Sequence, residues 1–379
     1  MERKEAAETP RRECGEREEL RAWEVAQKTL LERHGEAHHD KPYHSEEHVR
    51  RVLERLNRLG AAAGLSPKAR ALLSLVAAGH DLILHSSVDQ ESGVRVRARG
   101  GSHEHAFDEK GNKLPRNEWE SAQEIIKEVT HALGTLPPET LRRRIIALCD
   151  ATYPEIAAEP AGPDDLIART PEGAVDLTGY ALARSSEGEA VPRALVIHHP
   201  YLTKESAVEE FLMAWADIGN IGMDSFEEYL AQGNAEFREM EQRWMEEELP
   251  RLQHIPLKRK AEMAHKMLEW WRMQVMLPLM QRNIFVTQMH TMPALRNLTP
   301  EARRRISSLL SHFDENAVRA AQWYDKMVAE YGDLAQVAAF QFEGKPEAAG
   351  KAFRELLARM GYTVPEPPPS SRGGSVDGY

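Results

Sequence analysis

Three short segments of this chain carry residues able to bind a cation: Tyr43-His44-Ser45-Glu46-Glu47-His48, Gly79-His80-Asp81 and Trp215-Ala216-Asp217-Ile218-Gly219. Each falls at the end, or in the first turn, of an expected helix. Imidazole with carboxylate suits Mn, Fe, Zn or Co, and Mg where water fills much of the shell. His48, His80, Asp81 and Asp217 together would offer four protein donors to one divalent ion. Adjacent residues lie about 100° apart around a helix, so His80 and Asp81 could both reach an ion at which the helix end points.

A His-Asp dipeptide alone is weak evidence, and His39-Asp40 is a second one. Context separates them. His80-Asp81 ends the apolar run ALLSLVAAGHDLIL, where a buried charge is costly unless it is paired or metal-bound. His39-Asp40 sits in a polar stretch and carries no such cost.

The elements that must position these groups read as helices. Leu20, Trp23, Val25, Ala26, Leu30 and Leu31 recur at helical spacing over 16–33. Ser45 is a good N-cap for the next helix, with Glu46 and Glu47 in its first turn and Val49, Val52, Leu53, Leu56 and Leu59 as its buried stripe. Ser66-Pro67 opens a third helix that runs to His80-Asp81. Further helices are predicted over 117–133, 139–151 and 205–215, the last carrying Asp217 at its end before Gly219 and Gly222.

Between them, residues 86–116 read as a long loop with a short strand over Val94, Val96 and Ala98. Residues 154–200 read as an insertion rich in Pro and Gly, with ALVIH its one strand-like run. Beyond Asp224 the pattern is helical to about Met360. There Trp270, Trp271, Met273, Met276, Met280 and Phe285 form an apolar cluster suited to a core or a dimer interface. The fold class is all-α. The expected division is a charged arm over 1–15, a metal-binding helical domain over 16–225, a C-terminal helical region over 226–362 and a disordered tail over 363–379.

Composition narrows the functional classes. Cys14 and Cys149 are the only cysteines, too few for a thiolate zinc site or a disulfide framework. The charged opening residues lack the apolar stretch of a signal peptide, and no run approaches the roughly 20 residues of a membrane span. A cytoplasmic protein with no membrane partner is expected. A net charge of -11 argues against general nucleic-acid binding. One basic feature stands out: in Gly93-Val94-Arg95-Val96-Arg97-Ala98-Arg99 a strand would place Arg95, Arg97 and Arg99 on one face, an arrangement suited to phosphate.

The order YH-x-x-x-H, then HD, then Asn117-Glu118-x-x-Ser121-Ala122, then a late helical Asp resembles the HD superfamily of metal-dependent phosphohydrolases. The likeness covers about residues 20–225 and rests on four motifs in order. It implies an HD-type helical bundle in which His48, His80, Asp81 and Asp217 hold a metal that activates water against a phosphoester. The YH-x-x-x-H spacing is also similar to that of cyclic nucleotide phosphodiesterases. That likeness implies His44 as the proton donor to the leaving oxygen. Glu118, with Asn117 on the substrate side, would stand behind the ligands, and Arg95 and Arg97 would meet the phosphate. A small phosphorylated substrate, a nucleotide or cyclic nucleotide, is expected, and the C-terminal helices could pair two copies of the chain.

Relatives with this motif order often carry Thr followed three residues later by His. Here the run is Thr152-Tyr153-Pro154-Glu155, so a carboxylate replaces the imidazole. His198-His199, or His103 and His105, could return to the site as substitutes. Two other readings follow: an HD-type di-iron oxygenase, which needs two such further ligands, and a non-catalytic metal or nucleotide sensor or adaptor.

Overall fold

The computed structural model describes residues 2–84, 86–88, 95–97, 105–107, 113–183, 192–335 and 346–363. The chain is predominantly helical, as composition and periodicity predict. The first half supplies α1 (Glu2–Ala37), α2 (Glu46–Ala62), α3 (Pro67–Ala77), α4 (Arg116–Leu133), α5 (Glu139–Asp150) and α6 (Val208–Asp217). The stretch 1–15, expected as an arm, continues α1 as helix from Glu2.

Most of the expected stripes are buried, though Leu53 of α2 is half-buried and Val25 of α1 is exposed. In α2, Val49, Val52, Leu56 and Leu59 are buried, each worth about 1.5–3 kcal/mol relative to exposure. Ser66 caps α3, its side chain accepting from the Ala69 N–H with Pro67 at the first helical position. Ser45 occupies the N-cap of α2 with extended backbone but makes no side-chain cap bond.

The pattern beyond Asp224 resolves into α7 (Phe226–Met240), α8 (Gln242–Glu247), α9 (Leu257–Thr291), α10 (Pro293–Arg296), α11 (Pro300–Leu309), α12 (Phe313–Ala335) and α13 (Pro346–Arg359). One apolar core joins Leu30, Leu56, Val76, Ile125, Ile145 and Phe211 of the first half to Val275 and Leu279 of α9 and Ala317 of α12. A second core gathers Phe237, Trp271, Met327 and Phe353. Trp270, Trp271, Met276, Met280 and Phe285 are all buried, so the Trp- and Met-rich stretch is spent on packing within the chain.

Four small antiparallel sheets occur among the described residues. Within 86–116, β1 (Ser86–Val88) pairs with β2 (Arg95–Arg97), and β3 (His105–Phe107) with β4 (Lys113–Pro115). The expected single strand there is thus one of four. In the insertion β5 (Glu155–Pro160) and β8 (Leu182–Ala183) flank β9 (Pro192–His198), which contains the ALVIH run. A hairpin of β6 (Ile167–Thr170) and β7 (Gly173–Asp176) completes it.

This insertion is fastened to the C-terminal helices by polar contacts. Tyr180 donates to Asp325, Asn283 to Asp165, and Arg282 to the Ile167 carbonyl and to Asp314. No described helix is long and apolar enough to cross a membrane.

The position of His80-Asp81 differs from the sequence expectation. α3 stops at Ala77, and the pair sits in a following turn in which Gly79 N–H donates to the Val76 carbonyl and Leu82 N–H to the Gly79 carbonyl. The two side chains therefore converge through turn geometry and not through helical spacing. Close packing forces that turn to carry glycine: a Cβ at Gly79 would lie 2.7 Å from Ile125 Cγ1 and 3.2 Å from Leu30 Cδ2. Gly79→Ala should cost about 1–3 kcal/mol of stability through overpacking. A urea unfolding midpoint equal to the parent's would show that the turn has slack.

Candidate metal centre

Three helix ends deliver four donors to one point. His48 comes from the first turn of α2, His80 and Asp81 from the turn after α3, and Asp217 is the last residue of α6. Their ligand atoms all lie within 4.8 Å of one another, and all four residues are buried. His48 Nε2 is 3.1 Å from Asp217 Oδ1 and 3.6 Å from Asp81 Oδ2. His80 Nε2 is 3.0 Å from Asp81 Oδ2 and 3.3 Å from Asp217 Oδ1.

The chemistry of this donor set fits a cation. His80 Nδ1 is 2.9 Å from the Ala77 carbonyl, which can only accept, so the ring proton sits on Nδ1 and the Nε2 lone pair faces the carboxylates. A lone pair opposite carboxylate oxygens needs positive charge between them, either a proton or a metal ion.

In the protein alone that charge is a proton. Burial opposes charging His80, but Asp81 and Asp217 outweigh it and hold its pKa well above the ordinary value. Burial would likewise raise Asp81, yet the His80 charge and hydrogen bonds from His48 and His80 hold it well below the carboxylate range. Asp217 is held down the same way against burial, by hydrogen bonds from His48 and His80. The group could hold a divalent ion in place of protons.

His44 stands beside this group, its ring 5.9 Å from that of His48 between centroids. Its Nδ1 is 2.6 Å from Glu239 Oε1, and Glu239 Oε2 accepts from the backbone N–H groups of Tyr43 and His44 at 3.0 Å each. Burial would raise Glu239, but the His44 charge and these hydrogen bonds bring it down to about 2. Sequence reasoning missed Glu239. It is an ordinary acid on α7, and nothing local marks it as the partner of a residue 195 positions away.

Glu118 is buried in the first turn of α4 and Asn117 beside it is buried too, but neither belongs to the four-donor group. Ser121, one turn further on, ties α4 to the His-Asp turn by accepting from Ile83 N–H at 3.0 Å. Glu155 is exposed at the start of β5, while Thr152 is buried and donates to the Cys149 carbonyl.

His198 pairs with Glu159 at 2.8 Å on the insertion. His199 is buried and lines a pocket with Trp215, Gln281 and Phe285; the charge of Asp217 acts on it, but it is not one of the four donors. His103 lies outside the described residues. His105 is the first residue of β3, and Arg95 and Arg97 share β2, which passes close to α7; the side chains of all three lie outside the described part. Among the described residues no second group of three donors converges.

A second feature the sequence did not reveal is Asp150, the last residue of α5. Burial, then the charges of Glu118 and Glu210, raise it to about 7. A carboxyl raised in the folded state holds its proton there while the unfolded chain gives it up, so stability falls as pH rises from about 4 to about 7. Asp150→Asn should therefore raise the melting temperature at pH 8, by about 2–4 °C for each kcal/mol regained, and leave it unchanged near pH 3. An equal shift at both pH values would contradict the assignment.

No protein-family model, curated protein or solved structure matches this chain, so its functional reading rests on the geometry of these residues.

Proposed function

We propose that the protein is a metal-dependent phosphohydrolase of the HD type, acting on a small phosphoester such as a nucleotide or cyclic nucleotide. The observation that carries this reading is the convergence of His48, His80, Asp81 and Asp217, with a separately held histidine, His44, beside them. The motif order in the sequence, which adds Asn117-Glu118-x-x-Ser121-Ala122 to these residues, supports the same reading. The ion itself is a divalent metal of the Mn, Mg, Fe, Zn or Co group.

When bound, such an ion supplies Lewis acidity and makes water acidic enough to attack phosphorus near neutral pH. The chain's own residues do the rest. Asp81 and Asp217 neutralise the ion, and the Nδ1 bond of His80 to Ala77 keeps its Nε2 pointed inward. Glu239 holds the His44 Nδ1 proton and fixes the ring, and His44 would protonate the departing oxygen through Nε2. Metal position and proton donor thus sit on the two sides of the N-terminus of α2.

The oxygenase reading needs a second ligand set that neither His198, paired with Glu159, nor His199, in its apolar pocket, brings to the four donors. A sensor that binds nucleotide without turnover differs from the hydrolase only in its product.

Purified protein loaded with Mn, Co or Mg should release phosphate or nucleoside monophosphate from some member of a nucleotide and cyclic-nucleotide panel. Asp81→Ala should abolish both release and metal retention. Binding without release across the panel would favour the sensor, and two irons per chain would revive the oxygenase. His44→Ala should lower kcat by about 10²–10⁴-fold while metal content stays at one ion per chain. An unchanged kcat would remove His44 from the chemistry.

A further inference from the structure

Arg55 is a cation that the mechanism above does not use, yet only 2% of its surface is exposed. Its guanidinium makes a fan of bonds. Nε and Nη2 donate to the two oxygens of Asp224, and Nη2 also donates to Gln232 Oε1 at 3.1 Å. Nη1 donates to the Ala216 carbonyl at 3.1 Å and reaches the Asp217 carbonyl at 3.5 Å. Those are the last carbonyls of α6, which have no partner within the helix and favour a cation.

The places from which these bonds come matter more than their number. Arg55 lies two turns beyond His48 on the same face of α2, and Gln232 lies two turns before Glu239 on α7. The carbonyls belong to the residue pair that ends in the ligand Asp217. One side chain thus joins the helix of His48, the helix end of Asp217 and the helix of Glu239.

The chain leaving α6 wraps tightly over it. A Cβ at Gly219 would fall 2.5 Å from Arg55 Cδ, so that glycine is required by the arginine beneath it. Asn316 closes the loop from outside by donating to the carbonyls of Ile221 and Asp224.

We propose that Arg55 is a positioning residue, which sets the spacing at which His48 meets Asp217 and His44 meets Glu239. This rests on the metal-site reading above. A lysine cannot reproduce it, because a point charge with three donors cannot span Asp224, Gln232 and two carbonyls in fixed directions. The competing idea is that Arg55-Asp224 is a buried ion pair serving stability alone. The two differ, since replacing both partners of such a pair by apolar residues of similar size often leaves stability intact.

The test uses the full chain, stripped of metal by chelator, in three forms: the parent, Arg55→Lys, and the double variant Arg55→Met with Asp224→Leu. Mn²⁺ affinity is measured by calorimetry and metal-free melting temperature by circular dichroism. A positioning role predicts a Kd for Mn²⁺ raised about 10–100-fold in both variants, as for other residues that orient ligands, with the metal-free melting curve showing that each variant folds. A variant that folds and binds Mn²⁺ as tightly as the parent overturns the proposal, and Arg55→Lys decides it if the double variant does not fold. A parent that binds no divalent ion removes the metal reading itself, a result distinct from unchanged variants.

Discussion

The constraint on which this structure turns is the burial of two carboxylates and two imidazoles within one small volume. Asp81 and Asp217 repel each other there, and each loses the water that would stabilise its charge. The arrangement persists only with positive charge among the four side chains. A proton on His80 serves in the protein alone, and a divalent ion could satisfy the same need with geometry that a proton does not supply. Ordinary cores avoid such a cluster, because packed apolar residues in its place are often as stable or more so.

Delivering four side chains to one point requires fixed helix ends, and the surrounding structure is arranged to fix them. Gly79 lets the turn after α3 press against Ile125 and Leu30. Ser121 of α4 anchors Ile83 just beyond Asp81, and Arg55 holds the carbonyls at the end of α6. Behind these sits an apolar core shared with α9 and α12, so the later helices belong to the same packing unit that holds the centre. α7 goes further and supplies Glu239 directly to His44.

The insertion over 154–200 has a different place. It lies on α9 and α12 through Arg282, Asn283 and Asp325, and its histidines stay out of the four-donor group. Glu155, at the start of β5, is exposed and is not among the four donors. What remains is one buried four-donor group that could hold a metal ion, with His44 beside it.

Most of the helices and the four candidate donors were legible in the sequence. Apolar periodicity, the Ser66-Pro67 start and the glycines after Asp217 depend on residues within a turn or two, so they are legible without a structure. The His-Asp pair at the end of an apolar run was conspicuous because burying it unpaired is costly. Only the tertiary structure decided that this pair occupies a turn, that residues 86–88, 95–97, 105–107 and 113–115 form hairpins, and that the insertion packs on the later helices. Glu239, Asp150 and Arg55 were likewise invisible, since each is an ordinary residue on an amphipathic helix. Their roles come from partners brought close by packing: His44 is 195 positions from Glu239, and Asp224 is 169 from Arg55. Local spacing carries no information about such pairs, because the helices that bear them can pack in many relative positions until the whole core forms.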